Sequence, residues 1–489
     1  MELLDGFVNS VNYVIWSYIL IIMLLALGVY FSFATKFVQI RLIGEMFRLL
    51  TQGVGKKADD NKVSSFQAFC ISTASRVGVG NIAGVAIAIV SGGPGAILWM
   101  WIIAMIGSAT GFIESTLAQI YKVNDGKGGY RGGPAYYIKN VLGHRGVAIF
   151  FAVLISITFG LIFNSVQANT ITLAVQSAFG IERLTMGIGL AVLTGIVIFG
   201  GVTRIAKVTE WLVPIMASVY ILVALYIVIT NLSMLPVVIE EIFSTAFSAD
   251  AALGGGLGAA MMAGIKRGLF SNEAGMGSVP NAAATADVSH PVKQGLIQAL
   301  GVFVDTLIVC SSSAFIVLLT VDYNTTNLTG IELVQASLAS HIGSFAPSLL
   351  AIFVLMFAFS SIIGNYYYGE SNIGFLHSSP MWLMIFRLAV VGMVLFGSVA
   401  KISLVWDMAD LFMAFMAIIN MLAIFGLGKI AFAALDDYCA QKKAGKDPVF
   451  YSDSIEGLGD LDCWEKNPEQ AAAKAQEQED AVAEPAFRI

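Results

Sequence analysis

Arg76 and Arg267 each stand five residues ahead of an Asn-x-Ala-Gly, in RVGVGNIAG (76–84) and RGLFSNEAG (267–275). Both phrases lie inside stretches otherwise apolar enough to cross a bilayer, where arginine, asparagine and clustered glycine cost desolvation free energy or weaken a helix. Two interrupted helices facing one polar site account for both. The free N–H end of a half-helix near Gly80, Asn81 and Gly84 suits a carboxylate. The carbonyl end around Gly268 to Ser271 suits an ammonium group or a bare cation, and the two partners together describe a zwitterion. Asn81 and Asn272 would then donate to or accept from the solute or an ion. Phe270 would cover its apolar side, and Phe270 with Met276 would keep the cavity small. Packing of small residues between continuous helices also explains the first phrase. It does not explain the second, where Lys266, Arg267 and Glu273 fall within eight residues ahead of Pro280.

Other polar residues in apolar surroundings extend the set. Ser360, Ser361 and Asn365 occur in FAFSSIIGNYYYGE (357–370), and two adjacent hydroxyls with nearby carbonyls offer hard oxygen ligands to sodium. The competing reading is serine bonding back to its own helix. Asp305 has no basic neighbour in its segment and fits either proton or sodium coupling or structural capping. Glu273 sits within the second phrase and is the coupling candidate to test. Arg76 and Arg267 fit gate residues that pair with acids in one conformation, or permanent buried pairs. Glu114, Glu210, Glu370 and Asp407 fall near span ends or face the bundle, where pairing with arginines is sufficient explanation.

The elements that must position these residues are membrane helices. Hydrophobic residues are 57% and charged ones 12% of the 489, against roughly 45–50% and about 25% in a soluble domain. Apolar runs predict eleven spans, near 12–35, 66–90, 94–121, 146–175, 184–202, 206–231, 253–288, 292–320, 345–371, 381–399 and 404–434. Lysine and arginine concentrate in the loops after the first and third spans, whereas 232–252 carries only acidic charges. This places the N-terminus outside and the C-terminus in the cytoplasm. The two phrases then run in opposite directions, with five spans in 63–231 and five in 232–440, as inverted repeats require. Residues 1–62 supply one additional helix and an interfacial segment (37–52), and 129–143 reads as a second short interfacial helix. The tail, 441–489, has eleven acidic against three basic residues from Asp447 onward and is expected to be mostly disordered, with a short helix around 468–482.

The four cysteines lack metal-ligand spacing and read as small core residues. No cleavable signal peptide is expected behind Glu2 and Asp5. Neither an HExxH nor a GxSxG occurs, so an enzyme is not expected, nor a metal beyond sodium, nor a nucleic-acid partner. A channel would need ligand rings or repeated pore loops. A carrier of a small zwitterion in the bilayer is the reading left, for which a monomer suffices.

The combination GNIAG (80–84), GIKRGLFSNEAGMGSVPNAAATA (264–286), GVFVDTLIVC (301–310) and FAFSSIIGNYYYGE (357–370) resembles the alanine or glycine:cation symporter family over nearly all of residues 10–440. The resemblance implies an all-α polytopic protein with the broken-helix amino-acid transporter (LeuT-like) fold. It also implies a sodium-coupled, in some members proton-coupled, uptake of alanine or glycine through the inner or plasma membrane. Serine and D-alanine are extensions of that substrate class, and a proton-coupled or exchange-mode carrier is the alternative. The same resemblance implies that Ser360 and Ser361 form a sodium site with carbonyls from Arg76 to Val79, and that Gln167 faces the substrate. The family varies at the position of Asn365, which here leaves room for a wider or more polar pocket.

Overall fold

The structure, a computed structural model, describes residues 10–54, 62–247, 258–320, 325–377 and 379–468. In chain order its helices are α1 (Ser10–Ala34), α2 (Ile43–Gly53), α3 (Ser65–Arg76), α4 (Gly80–Gly92), α5 (Gly95–Ile120), α6 (Pro134–Asn140), α7 (Arg145–Phe179), α8 (Arg183–Ile198) and α9 (Gly201–Thr230). They continue as α10 (Leu235–Thr245), α11 (Ala259–Asn272), α12 (Val279–Ala283), α13 (Pro291–Leu318), α14 (Gly330–Ile342), α15 (Ala346–Leu376), α16 (Pro380–Val399) and α17 (Ile402–Lys443). Among the described residues eight helices are long and apolar enough to span a bilayer, and α3 with α4, bent by 51° at their junction, make a ninth when taken as one span. The expectation of eleven rests on also counting α8, which has only 16 residues, and the pair α11 and α12. Residues 253–257 of the seventh expected span lie outside the described residues.

Between helices in lipid there is little hydrophobic gain, so close approach depends on small residues. Helix α5 is the hub, packing along α13, α11 and α1. On α11, Gly264 and Gly268 make a small-xxx-small face: a Cβ on Gly264 would lie 2.2 Å from the Ala96 carbonyl oxygen, and one on Gly268 2.7 Å from Ile103. Helix α15 meets α3 as closely, because a Cβ on Gly364 would stand 2.8 Å from the Ser75 backbone nitrogen. These contacts bring both phrases against α13 and α15 at the centre of the bundle.

Segment 37–52 forms a one-turn helix, Val38–Arg41, and then α2, whose Met46 and Leu49 are buried while Ile43 and Phe47 are exposed. Glu45 on α2 bonds Arg48 and the Tyr438 hydroxyl, and Lys442 lies 3.4 Å away. The Arg48 bond holds the Glu45 carboxyl down at about 2. Segment 129–143 differs from the expected surface helix. A hairpin pairing Val123–Asn124 with Tyr130–Arg131 leads into α6, whose residues Pro134 to Ile138 are buried, with the Tyr137 hydroxyl donating to Asn420.

The expected disorder of the tail also fails over 447–468. Phe450 is buried, its N–H donates to the Ser289 carbonyl, and its ring meets Trp464 and His290. The Trp464 indole donates to the Gln119 carbonyl, and Lys122 lies over its ring. Acidic composition alone hid these two aromatic anchors. The remainder of the tail, 469–489, lies outside the described residues.

Candidate functional site

The first break follows from its residues. Glycine and β-branched residues alternate from Val77 to Gly80, which weakens the helix. The Gly78 N–H turns back to the Arg76 carbonyl at 3.0 Å and is also met by Asn81 Oδ1 at 3.0 Å. The Val79 N–H donates to Gln167 Oε1 at 3.1 Å. Side chains therefore replace the interrupted helical bonds, as backbone away from water requires. Gly78 admits no substituent, because its Cβ would lie 2.3 Å from Ser361 Oγ and 2.9 Å from Gln167 Oε1. A Cβ on Gly80 would lie 2.7 Å from the Phe270 ring, and one on Gly84 3.5 Å from Trp406.

The second break begins at Glu273, whose φ of 57° ends α11 in the left-handed region, followed by Gly275 at 91° and Gly277 at 79°. Its backbone is held by Glu114 of α5. One carboxylate oxygen accepts the Gly275 N–H and the other the Gly277 N–H, each at 3.1 Å. Asn420 of α17 donates to the same carboxylate at 2.7 Å and to the Gly275 carbonyl at 2.9 Å. Among the described residues no arginine pairs with Glu114, so the span-end pairing expected for it is replaced by this turn-holding role.

Asn81 joins the two breaks. Its amide nitrogen lies 2.8 Å from Ser271 Oγ, 2.6 Å from Asp305 Oδ1 and 3.3 Å from Cys310 Sγ. Asn272 turns aside, donating to Thr306 Oγ1 and accepting from the Ala274 N–H. Phe270 stacks between Phe163 and Trp406, with ring centroids 4.6 and 4.8 Å apart. Met276 is fully buried after the break. Glu273 Oε1 is 2.7 Å from Ser75 Oγ and Oε2 is 2.6 Å from Ser278 Oγ. Ser75 Oγ also lies 2.6 Å from Asn365 Oδ1, while Asn365 Nδ2 is buried without a partner.

The two adjacent serines part company, since neighbouring helical residues point about 100° apart. Ser361 Oγ reaches the Ala74 carbonyl at 2.9 Å and the Val77 carbonyl at 3.4 Å. Both also bond back to the Phe357 carbonyl of their own helix, Ser361 at 3.1 Å and Ser360 at 2.8 Å, as the competing reading expected, and Ser360 faces Met216 of α9. Arg76 is 1% exposed, gives Nη1 to the Gln298 carbonyl, and leaves Nε and Nη2 without partners. Arg267 pairs with Asp410 of α17 at 2.5 Å and lies over Trp406, and Lys266 meets the same carboxylate at 2.9 Å. Toward the other end, Val63 bridges Ala286, Lys62 pairs with Asp287 at 3.0 Å, and Lys122 donates to the Ala286 carbonyl. The breaks are thus flanked by polar ties on both sides.

A family model described as the sodium:alanine symporter family matches residues 1–452. The chain belongs to that family. Among its relatives, the probable sodium/glutamine symporter GlnT of Bacillus subtilis is 56% identical over 463 residues, covering 95% of this chain and 96% of that protein. The sodium/alanine symporter AgcS of Methanococcus maripaludis is 37% identical over 425 residues, covering 85% of this chain and 93% of its own. A Na+-coupled sialic acid symporter in a substrate-bound outward-open state shares the fold, with a TM-score of 0.52 at 14% identity over 89% of this chain and 93% of that one. This member of the sodium:alanine symporter family is accordingly a helical, multi-pass membrane transporter.

Sequence reasoning missed Ser75, the Ser271 side chain, Trp406, Asp410 and Asn420, and it named Glu114 but gave it an arginine partner instead of the turn it holds. Asp410 and Asn420 carried a signal, as polar residues in an apolar run.

Proposed function

We propose that this protein imports a small neutral amino acid, alanine or glycine first, together with sodium by alternating access. The observation that carries the reading is the meeting of two broken helices through Asn81, Ser271 and Asp305, with Ser361 set against the carbonyls of the first break. Gly80, Asn81 and Gly84 receive the substrate carboxylate, and Gln167, Phe270, Met276 and Asn365 line its remaining sides, while Asn272, tied to Thr306 and the Ala274 N–H, braces the second break. Ser361 with the backbone of 74–79, including Arg76 and Val79, supplies oxygen to sodium, whose bound form is held by such ligands, whereas Ser360, turned toward Met216, stands outside that site. Arg267 serves the gate, with Asp410 as its partner. Glu273 stands at the second break as a coupling residue.

Eleven spans, an inverted pair of five-helix repeats in 63–231 and 232–440, an external N-terminus and a cytoplasmic C-terminus complete the arrangement in the inner or plasma membrane. A single chain suffices for it. A second reading, glutamine as substrate, is favoured by the buried Asn365 amide, which meets Ser75 through one atom and leaves the other for a side-chain amide to satisfy, and by the name of the GlnT relative.

Uptake of labelled alanine, glycine and glutamine into liposomes holding the purified protein separates these readings. Accumulation under an inward sodium gradient that disappears with potassium in its place is the expected result. Accumulation driven by a proton gradient without sodium would overturn sodium coupling, and uptake confined to glutamine would replace the substrate.

A further inference from the structure

A cavity of about 490 Å³ opens at the lysine- and arginine-rich end of the bundle, apart from the residues where the two breaks meet. The hairpin of 123–131 forms one wall with Lys127 and Arg131, α15 a second with Tyr367 and Glu370, and the start of α16 a third with Leu383 and Arg387. Arg387 is paired with Glu370 at 3.3 Å and gives its Nε to the Tyr366 hydroxyl. Asp125, also on the wall, accepts the N–H groups of Lys127 and Gly129 in its own turn. Lys127 and Arg131 are left over. Among the described residues neither has a carboxylate oxygen within 4 Å, and Arg131 Nε is buried without a partner. The Arg131 guanidinium lies against α15, since a Cβ on Gly374 would stand 3.1 Å from its Nη1. A half-buried guanidinium without an acid calls for an anion.

Three permanent cations and two carboxylates line the cavity, an excess of one positive charge. The N-terminus of the 20-residue α16 opens on it at Ser379 and Pro380, and a helix dipole favours negative charge there. On the neighbouring faces of the same helix Met381, Trp382 and Ile385 are exposed. An apolar surface that ends in tryptophan is what a helix presents at the edge of a bilayer. An occupant therefore meets positive charge inside and hydrocarbon at the rim.

We propose that this cavity binds the phosphodiester headgroup of an anionic phospholipid, with Arg131 and Lys127 on the phosphate oxygens and the acyl chains along Met381, Trp382 and Ile385. The planar fork of arginine matches two oxygens of one phosphate. A phosphodiester carries one negative charge and balances the excess, whereas a doubly charged phosphate would overshoot it. Glu370 Oε2, buried without a partner, is an acceptor for a headgroup hydroxyl. The walls of the cavity lead to the second break. The Tyr367 hydroxyl lies 3.5 Å from the Asn281 carbonyl of α12, and Asn372 donates to the Asn281 side chain at 2.8 Å. A Cβ on Gly133, just past the hairpin, would lie 2.5 Å from the same side chain. A bound lipid thus braces the residues that hold α12.

The test is native mass spectrometry of the purified full-length protein, stripped of lipid in a neutral detergent. It is titrated with dioleoyl phosphatidylglycerol, with phosphatidylcholine of the same chains, and with inorganic phosphate. The wild type is expected to bind phosphatidylglycerol ahead of phosphatidylcholine, and Arg131→Gln or Lys127→Gln to bind it about fivefold more weakly. Arg145→Gln, which removes an exposed charge at the start of α7 outside the cavity, is expected to match the wild type. Lys127 is exposed on the hairpin, so its variant decides the matter should Arg131→Gln fail to fold. Hydrogen exchange across 123–133 is expected to slow when the lipid binds. Unchanged binding in Lys127→Gln and Arg131→Gln, an equal loss in Arg145→Gln, or unchanged exchange in the hairpin would overturn the inference. Displacement of the lipid by inorganic phosphate would make this a site for the free ion and overturn the lipid assignment. None of these outcomes depends on which amino acid or ion is carried, so the transport reading stands or falls separately.

Discussion

Glu114 gives the sharpest test of how the second break is held. Its carboxylate accepts the N–H groups of Gly275 and Gly277 and the Asn420 amide, and the side chain is fully buried. Glu114→Ala leaves those three donors without an acceptor, at about 1–3 kcal/mol each. Partial relaxation and water entry lower the sum, so a loss of about 3–6 kcal/mol is expected for the native arrangement of 273–278. Glu114→Gln keeps the shape and one acceptor oxygen but turns an NH2 toward a donor, forfeiting one bond at about 1–3 kcal/mol. With tenfold per 1.4 kcal/mol, sodium-driven uptake should fall by about tenfold in Glu114→Gln and by more than about a hundredfold in Glu114→Ala. Both losses are read in liposomes at matched protein content, beside thermal unfolding in detergent. Asn420→Ala removes one donor together with the bond to Gly275 and should fall between the two. Wild-type uptake and stability in Glu114→Ala would refute the reasoning outright.

Gly78→Ala pushes a methyl into Ser361 and Gln167 and should abolish sodium-dependent uptake in protein that still elutes as a folded monodisperse species; normal uptake would show that the first break is not packed as described. Gln167→Leu strands the Val79 N–H and should raise the concentrations of sodium and of amino acid needed for half-maximal uptake together, while a change in only one would separate the two sites. Because the Glu45 carboxyl is depressed to about 2, its tie to Arg48 contributes stability above the usual carboxylate range near 4.5 and loses it as pH falls toward about 2. Glu45→Gln should therefore speed hydrogen exchange in α2 at neutral pH, and the difference from wild type should close on acidification through that window. Trp464→Ala should raise exchange across 447–468 and leave α7 unaffected; unchanged exchange there would mean that the tail is anchored by Phe450 alone.

The legible part of this site was whatever violates local rules. Asn81, Gly78, Gly80 and Glu273 stand out because arginine, asparagine, acids and glycine have no reason to crowd an apolar helix, and both breaks occur where those residues lie. Their partners were invisible for the opposite reason. Ser75 and Ser271 are ordinary helical serines by composition, and the contact of Ser75 with Glu273 spans 198 positions of chain. Glu114 and Gly275 are 161 apart, so only the superposition of α5 on the second break reveals that the acid serves backbone N–H groups rather than an arginine. Ser360 and Ser361 look equivalent in sequence, and the helical rotation between them sends one to Met216 and the other to the break. The tail misled because net charge averages over residues, whereas Phe450 and Trp464 act singly.

A continuous run of contacts explains how an ion and an amino acid would sense each other here. Ser361 Oγ lies against Gly78, Gln167 lies against Gly78 and holds the Val79 N–H, and Gly80 and Asn81 follow directly along the chain. A cation drawn to the Ala74 and Val77 carbonyls competes with the Ser361 hydroxyl that now donates to them, so its arrival must turn that hydroxyl. Ser361 and Gln167 both approach the place a Gly78 Cβ would take, at 2.3 and 2.9 Å, so a cation at Ser361 would act beside Gln167. The Val79 N–H then gains or loses its acceptor at the point where the first break opens toward Gly80. Sodium would shift the substrate site only as far as it binds one arrangement better than the other, and any side chain at Gly78 would enter the place that Ser361 and Gln167 now approach.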